Sequence, residues 1–281
     1  MSPIIDIRNL SAASQVGPVL RDVSLQVNRC EAMALVGESG AGKSTIAKAV
    51  LGILPAAIKI TAGEILFEGN DLLKVPAKAM REMLGVRIAL IPQDPQTSLN
   101  PSRRIGDQLT DGLRLRAGMS RSDAYQQALA LLNDVHIREP EKVLTRYPHE
   151  LSGGMRQRVL IAQAFSLKPQ VIIADEPTTA LDVTVQKQVL RLIRQLQRDH
   201  GTTLLFVTHD LGVVAQICDR ITVLYGGKVL EQGKTADVLK TPAHAYTRAL
   251  LAANPRYDRP EQSLKPVPEE LIAALRREIA G

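Results

Sequence analysis

The stretch Gly37-Glu38-Ser39-Gly40-Ala41-Gly42-Lys43-Ser44 (GESGAGKS) decides the fold, because it fits the pattern GxxxxGK[ST] at every fixed position. It lies directly after the apolar segment 32–36 and directly before a segment, 44–54, that is typical of a helix. Glycines let a backbone wrap closely around an anion, and the following helix directs its positive end toward it. The alternative, a glycine-rich turn before an ordinary helix, is disfavoured by the strand and helix patterns on its two sides. We therefore predict that phosphates are bound by Gly37, Glu38, Ser39, Gly40, Ala41, Gly42, Lys43, Ser44 and Thr45.

Outward from this stretch, short apolar and alternating segments predict a strand-rich N-terminal part and a later α/β part. Turn material is expected at 11–18, helical spacing over about 98–164 indicates an inserted helical subdomain, and Gly201 is expected to end a helix. The segment 254–268 is typical of a linker, and Leu271, Ile272, Leu275 and Ile279 favour a closing amphipathic helix. Strands are predicted at 4–8, 23–27, 32–36, 63–69, 86–91, 171–174 and 203–207, with a hairpin of 220–225 and 228–232 across Gly226-Gly227.

Polar side chains follow three of the buried strands. Asp175 and Glu176 come directly after 171–174, where a carboxylate can lie at the edge of a parallel sheet. Lys43 is expected to reach the β- and γ-phosphates, and Mg²⁺ is assigned to Ser44, Gln93 and Asp175. Glu176 is placed to accept a proton from the water that attacks the γ-phosphate, or to orient it. Gln93 and His209 lie just beyond buried strands and are candidate γ-phosphate sensors; the catalytic set is thus Glu176, His209, Gln93 and Lys43.

A second anion site is predicted in the stretch 151–157 (LSGGMRQ), because Ser152, Gly153 and Gly154 stand where a helix begins. Neither this half-site nor the first could surround a triphosphate alone. Two copies facing head to tail would sandwich ATP between 37–45 of one and 151–155 of the other. A Ser N-cap followed by flexible glycines is the alternative for an isolated Ser-Gly-Gly.

Composition limits the remaining classes of protein. With 281 residues, 45% hydrophobic, the chain can bury a core, and it carries neither a long apolar run nor a secretory leader, so we expect it to stay in the cytoplasm. Cys30 and Cys218 lie too far apart for a disulfide framework or a four-thiolate site, and both are predicted to be packing residues. The net charge of +6 favours an acidic partner such as nucleotide, nucleic acid or an anionic membrane.

The set GESGAGKST, Gln93, LSGGMRQR, VIIADEPTTALD and His209 resembles the ATP-binding subunit of an ABC transporter, from about residue 4 to 253. The resemblance implies an α/β fold: a P-loop NTPase core with a RecA-like parallel sheet, an N-terminal antiparallel β subdomain and an inserted α-helical subdomain. The corresponding domains are a cassette over 1–253, with its helical subdomain at about 98–164, and a C-terminal tail over 254–281. By the same resemblance Asp182 belongs to the loop that communicates between two nucleotide sites, and His209 contacts the γ-phosphate.

Two strings, 93–101 (QDPQTSLNP) and 242–250 (PAHAYTRAL), resemble the peptide and nickel importer branch of that family. Within it, 51–55 and 61–66 are most similar to an ATPase of nickel importers. No cysteine follows Cys218, so the C-terminal cysteine cluster of many peptide subunits is absent, and with it any iron–sulfur centre. No aromatic residue stands at 13–15, where many members stack one on adenine. Cys30 replaces the usual Gly before Glu31, which predicts a turn that avoids positive φ.

The resemblance implies an importer ATPase that uses ATP and Mg²⁺ at the cytoplasmic face of the inner membrane. Its expected partners are two permease chains, a second homologous ATPase and an extracytoplasmic substrate-binding protein, with no nucleic acid. The string 94–101 is the expected contact for a permease. The cargo stays open among nickel, a metal chelate and short peptides. Two alternatives also stay open: a regulatory nucleotide-binding subunit with weak hydrolysis, and a soluble ABC protein that acts on nucleic acid or the ribosome.

Overall fold

A computed structural model of the chain describes residues 2–179, 181–253 and 268–280. Within those residues, no helix is both long and apolar enough to cross a membrane. The strands are β1 (Ile5–Ser14), β2 (Gly17–Val27), β3 (Ala32–Val36), β4 (Ile58–Phe67), β5 (Asn70–Asp71), β6 (Ile88–Ile91), β7 (Val171–Asp175), β8 (Thr203–Thr208), β9 (Arg220–Tyr225) and β10 (Lys228–Lys234). The helices are α1 (Lys43–Val50), α2 (Ala77–Met83), α3 (Pro95–Ser98), α4 (Ile105–Ala117), α5 (Arg121–Asp134), α6 (Pro140–Thr145), α7 (Gly153–Phe165), α8 (Val183–His200), α9 (Leu211–Ile217), α10 (Thr235–Lys240), α11 (Ala245–Ala253) and α12 (Glu269–Ala280), with 3-10 turns at Leu72–Lys74 and Pro148–Glu150.

The chain divides into two compact units. The first unit holds the described residues up to 76 and from 205 onward, and the second holds residues 77–204, except for Ala180. The first therefore contains β1–β5, α1 and the elements that follow β8, while the second contains α2–α8 with β6 and β7.

An antiparallel sheet with the strand order β2-β1-β4-β5 forms one layer of the first unit. The expectation of turn material at 11–18 is wrong, because β1 runs to Ser14 and β2 begins at Gly17, so only residues 15 and 16 turn. The hairpin closes through the pair Ser14↔Gly17, and β1 also pairs with β4 on its other edge. Hydrogen bonding on both edges holds this polar segment extended, which its local sequence does not indicate.

The other strands of the first unit follow the order β10-β9-β3-β8, with β8 contributing from Leu205 onward. β3 and β9 are parallel, and every residue of β3 is buried, as expected of a strand covered on both faces. β9 and β10 are antiparallel across Gly226 and Gly227, whose φ angles of 53° and 82° suit a tight two-residue turn. The predicted hairpin is therefore confirmed.

The turn before β3 corrects the prediction for Cys30. Its φ is +58°, so the turn does enter the left-handed region despite the replacement of glycine. Two hydrogen bonds close this turn: Glu31 N–H donates to Asn28 O (3.4 Å), and Asn28 N–H donates to Glu31 Oε2 (2.8 Å). Cys30 is exposed, which also contradicts its prediction as a packing residue, whereas Cys218 is buried as expected.

In the second unit, β6 and β7 pair in parallel with the register Ile88↔Val171. Between them along the chain, residues 95–165 form helices and turns without a strand, as the helical spacing predicted. α5 buries Ala124, Ala128, Leu131 and Leu132, as expected of the helical spacing over about 98–164. α8 buries Val189, Leu192, Ile193 and Leu196 and ends at Gly201, whose φ of 63° fits the predicted C-cap.

The C-terminal part of the first unit contains α11 and α12. The predicted closing helix is confirmed as α12, where Leu275 is buried and Glu278 pairs with Lys228 (3.4 Å). The predicted linker, 254–268, lies outside the described residues apart from Pro268. The start of α11 is held by Glu231 of β10, whose carboxylate accepts hydrogen bonds from the N–H groups of Ala243 (2.8 Å) and His244 (3.0 Å).

These contacts predict a pH-dependent stability. Burial raises the pKa of Glu231, but the nearby Thr247 hydroxyl and the two backbone N–H groups outweigh it and hold this pKa below its ordinary value of 4.5. A lowered folded-state pKa gives stability that is present above pH 4.5 and is lost as pH falls through the folded-state pKa. In Glu231→Gln we expect a lower free energy of unfolding than wild type at pH 7, by about 1–3 kcal/mol. This difference should shrink as the pH falls below 4.5.

Denaturant unfolding at pH 7 and at successively lower pH measures that difference. Glu82→Gln is the matched control, because Glu82 is an exposed glutamate on α2. A wild-type to variant difference that stays constant from pH 7 to pH 3 would contradict the prediction.

Candidate active site

The phosphate loop, residues 37–45, connects β3 to α1 in the first unit. Gly40 and Gly42 have φ angles of 82° and 96°, a conformation that glycine adopts without strain. Gly42 is the N-cap residue of α1, so the first N–H groups of the helix follow directly from the loop. The glycines thus let the loop turn directly into the N-terminus of α1, a backbone geometry that suits an anion.

Lys43 folds back over its own loop. Its side chain is buried (6% exposed), and Nζ donates hydrogen bonds to the carbonyl oxygens of Gly37 (2.7 Å) and Glu38 (2.8 Å). A buried ammonium needs such acceptors, because removing it from water is costly otherwise. The charge is thus fixed beside the first two residues of the loop.

The hairpin of β9 and β10 supports the phosphate loop from behind. A Cβ at Gly37 would lie 2.2 Å from Leu224 O, which is too close for any side chain, and Gly227 N–H donates to Ala41 O (3.1 Å). Glycine at position 37 is therefore required by the packing of the loop on β9 as well as by the phosphate pattern. The sequence pattern alone does not indicate this support.

The predicted residues Gln93 and Glu176 meet in the second unit. Glu176 follows β7 directly and has a φ of +44°, a strained conformation for a non-glycine residue of the kind that clusters at functional sites. Its Oε2 atom accepts hydrogen bonds from Gln93 Nε2 (3.2 Å) and from the hydroxyl of Thr179 (3.0 Å). Asp175 is the last residue of β7 and is partly buried. The geometry presents an oriented carboxylate at the carboxyl end of a strand.

The stretch 151–157 forms the start of α7. Ser152 is the N-cap residue, and its hydroxyl accepts a hydrogen bond from Met155 N–H (3.4 Å). Gly153 and Gly154 are the first helical residues, so they are not flexible here. A Cβ at Gly154 would lie 3.0 Å from Val185 Cγ1, which shows how closely α8 approaches α7. The N-terminus of α7 is therefore a preformed cap of the kind that binds anions.

Two further predicted residues lie beside helix starts. Asp182 is the N-cap residue of α8, and its Oδ1 atom accepts from the N–H groups of Thr184 (3.1 Å) and Val185 (3.0 Å). His209 lies in the first unit between β8 and α9 and is exposed. The sequence has no aromatic residue at 13–15 that could stack on adenine. Next to that segment, the turn between β1 and β2 exposes the aliphatic side chain of Val16, which is 99% exposed.

The residues assigned to Mg²⁺ fit that ion by their chemistry. Ser44 offers a hydroxyl, Gln93 an amide oxygen and Asp175 a carboxylate, and hard cations prefer oxygen ligands. Within the described parts of the chain, no group of three or more His, Cys, Asp or Glu residues could hold a metal ion by itself.

Comparison with known protein families identifies the family to which this chain belongs. A family model described as ABC transporter matches residues 20–179, which is more than half of the chain. The chain belongs to the ABC transporter family. A second family model, described as Oligopeptide/dipeptide transporter, C-terminal region, matches residues 230–279. The cassette is thus an ATP-binding subunit of the oligopeptide and dipeptide importer type, and it is an ATPase.

Individual relatives agree with this family. The Probable D,D-dipeptide transport ATP-binding protein DdpD of Escherichia coli (strain K12) is 49% identical over 271 residues, which cover 95% of this chain and 83% of that protein. The Dipeptide transport ATP-binding protein DppD of Bacillus subtilis (strain 168) is 43% identical over 272 residues, covering 95% and 81%. A dimeric post-hydrolysis structure of the ATP-binding cassette MJ0796 bound to ADP and Pi has a TM-score of 0.73 and 27% identity, covering 82% of this chain and 98% of that one.

These matches confirm the predicted family, branch and α/β cassette fold. They support the importer interpretation and give no support to a soluble ABC protein that acts on nucleic acid or to a regulatory subunit. The nickel preference indicated by 51–55 and 61–66 stays a prediction, because the relatives above carry dipeptides in their names.

Thr179 is a residue of the cassette that the sequence motifs did not single out. Its N–H donates to Glu176 O (3.3 Å), which closes a turn, and the turn brings its hydroxyl to the carboxylate. The signal in the sequence was a hydroxyl residue three positions after the carboxylate. A hydrogen-bond donor fixes the orientation of the carboxylate that accepts from it, so Thr179 is a positioning residue for Glu176.

Thr179→Val should therefore lower kcat by about threefold to tenfold, a loss of about 1 kcal/mol, with little change in KM for ATP. Steady-state ATPase assays over a range of ATP concentrations measure kcat and KM, and Thr179→Ser, which keeps the hydroxyl, should stay close to wild type. An unchanged kcat in Thr179→Val would remove this role.

Proposed function

We propose that this cassette hydrolyses ATP with Mg²⁺ to drive the uptake of short peptides through partner permeases. The observation that carries the proposal is the Glu176 carboxylate, held by Gln93 and Thr179 directly after β7, in a chain whose phosphate loop is intact. A carboxylate oriented in this way suits a general base. The match to the oligopeptide/dipeptide C-terminal region over residues 230–279 favours peptides as the cargo.

The chemistry assigns a role to each part of the site. The loop N–H groups and Lys43 bind the phosphates, and Glu176 takes a proton from the water whose oxygen attacks the γ-phosphorus. The bond from that phosphorus to the β–γ bridging oxygen breaks, and ADP and phosphate result. Gln93 and His209 contact the γ-phosphate. Mg²⁺ held by Ser44, Gln93 and Asp175 would neutralise developing charge on the phosphate oxygens.

A second cassette completes the site in this proposal. Ser152, Gly153 and Gly154 of one cassette face the phosphates held by the other, and Asp182 lies in the loop between the two sites. Support comes from the capped N-terminus of α7 and from the dimeric form of the MJ0796 cassette. ATP would hold the two cassettes together, and its hydrolysis would let them part.

The proposed assembly places this subunit peripherally at the cytoplasmic face of the inner membrane. It contains two permeases, a second homologous ATPase and an extracytoplasmic substrate-binding protein. The proposed cassette spans 1–253 with a helical subdomain at about 98–164, followed by the tail 254–281. For the permease contact we propose 94–101, where Asp94 caps α3 by accepting from Gln96 N–H (2.7 Å) and the Thr97 hydroxyl (3.0 Å).

Reconstitution of the complex in proteoliposomes tests the cargo. Candidate binding proteins loaded with a dipeptide, an oligopeptide or Ni²⁺ are added in turn, and ATP hydrolysis and uptake are measured. We expect peptide-loaded protein to stimulate both, with unloaded binding protein as the control. Stimulation by Ni²⁺ alone would overturn the peptide assignment, while a complex that never hydrolyses ATP would overturn the proposed function.

A further inference from the structure

Tyr246, near the start of α11, is the largest fully buried side chain among the described residues. It lies within the region 230–279 that matches the oligopeptide/dipeptide family, outside the match to the general ABC transporter family. Its ring packs against the ring of Tyr225, the last residue of β9, with 4.9 Å between ring centroids. None of the nucleotide motifs accounts for it.

The hydroxyl of Tyr246 lies close to Glu38, the second residue of the phosphate loop. It is buried and has no hydrogen-bond partner of normal geometry among the described residues. Burial raises the pKa of Tyr246 above its ordinary value, and the neighbouring carboxylate of Glu38 raises it further, while the Glu38 N–H acts in the opposite direction. The polar residue next to the Tyr246 hydroxyl is therefore Glu38.

Glu38 also holds Lys43. Its carbonyl oxygen accepts one of the two hydrogen bonds from Lys43 Nζ. On the neighbouring residue, Gly37, there is no room for a side chain because Leu224 O lies against it. Leu224 O lies against Gly37, Tyr225 follows Leu224 in β9, and Tyr246 packs on Tyr225. A shift of these residues would displace the peptide whose carbonyl oxygen holds the Lys43 ammonium.

The position of Tyr246 is itself fixed. Its N–H donates to His244 Nδ1 (3.1 Å), and the N–H of His244 donates to the Glu231 carboxylate of β10. Arg248 Nη1 donates to the carbonyl oxygens of Pro242 (3.0 Å) and Ala243 (2.7 Å), which closes the turn before α11. A side chain anchored in this way can determine the position of a loop that packs on it.

We propose that Tyr246 is a positioning residue for nucleotide binding, which sets the Glu38 peptide and through it the ammonium of Lys43. The inference rests on the proposed function, because it requires residues 37–45 to bind ATP. It makes the C-terminal region shared with oligopeptide and dipeptide transporters a structural part of the ATP site. Displacement of the loop weakens binding of the phosphates before it alters the hydrolytic step, which depends on Glu176.

The test compares Tyr246→Leu, which removes the ring, with Tyr246→Phe, which removes the hydroxyl alone. Binding of a fluorescent N-methylanthraniloyl ATP to the full chain gives Kd, and the assembled complex gives KM and kcat for ATP. We expect Tyr246→Leu to raise Kd and KM about tenfold and Tyr246→Phe to raise them about threefold, with kcat kept in both. Tyr125→Leu and Tyr125→Phe, on the exposed Tyr125 of α5, are matched controls and should leave Kd unchanged.

Thermal unfolding separates this role from a loss of folded protein. A purely structural defect lowers Tm and the apparent kcat while the remaining folded molecules keep the wild-type Kd. An unchanged Kd in folded Tyr246→Leu overturns the proposal, and if that variant does not fold, an unchanged Kd in Tyr246→Phe overturns it. If the wild-type complex itself shows no ATPase activity, the result counts against the proposed function and not against the role of Tyr246. The wild-type assay thus distinguishes the two failures.

Discussion

Glu176→Gln is expected to lower ATP turnover by about 10²–10⁴-fold while ATP still binds, because a general base contributes an acceleration of that size. The amide of Gln has nearly the size of the carboxylate, and its oxygen can accept the hydrogen bonds from Gln93 and Thr179. An amide does not accept a proton near neutral pH, so the attacking water loses its base. The left-handed backbone at this position is retained, since Gln and Glu have similar side chains.

A second consequence concerns association. With hydrolysis blocked, ATP should remain bound between two cassettes, and size-exclusion chromatography should show a dimer with ATP that is absent with ADP. Glu82→Gln, on the surface of α2, is the control and should have wild-type turnover and no ATP-stabilised dimer. Near-normal turnover in Glu176→Gln would remove Glu176 from the role of base.

Lys43→Ala is expected to abolish measurable ATP hydrolysis by raising the Kd for ATP roughly 10²-fold or more. The substitution removes the ammonium that contacts the phosphates, and charge-assisted hydrogen bonds contribute about 1.5–3 kcal/mol each. It also deprives the carbonyl oxygens of Gly37 and Glu38 of their donor, so the loop loses an internal restraint. Both effects act on the same phosphates and reinforce each other.

Fluorescent ATP titration and steady-state ATPase assays measure this loss. Lys43→Arg keeps the charge but replaces a point charge by a larger planar fork in a buried position, and it should also bind ATP poorly. Lys78→Ala, on the exposed surface of α2, is the control. Wild-type affinity in Lys43→Ala would show that the phosphate loop is not the nucleotide site.

The sequence was informative where local pattern and tertiary environment agree. β7 and Gly201 lie close to their predicted positions, because a run of apolar residues and a glycine at a helix end each specify their structure locally. It failed for 11–18, where pairing on both edges extends the strands, and for Cys30, where two hydrogen bonds impose the left-handed turn. At 11–18 pairing with a distant strand outweighs local preference, whereas at Cys30 the hydrogen bonds that impose the turn join residues only three positions apart.

The sequence by itself determined which chemical groups this protein uses: a phosphate loop before α1, a carboxylate after β7 and an N-cap before α7. These are consequences of residue type and spacing along a few turns of chain. Only the tertiary structure decided that Thr179 and Gln93 orient Glu176, that Val185 of α8 lies close against Gly154, and that the ring of Tyr246 packs on Tyr225. Most of these contacts join residues far apart in the chain, so packing of the core, which no local motif encodes, brings them together.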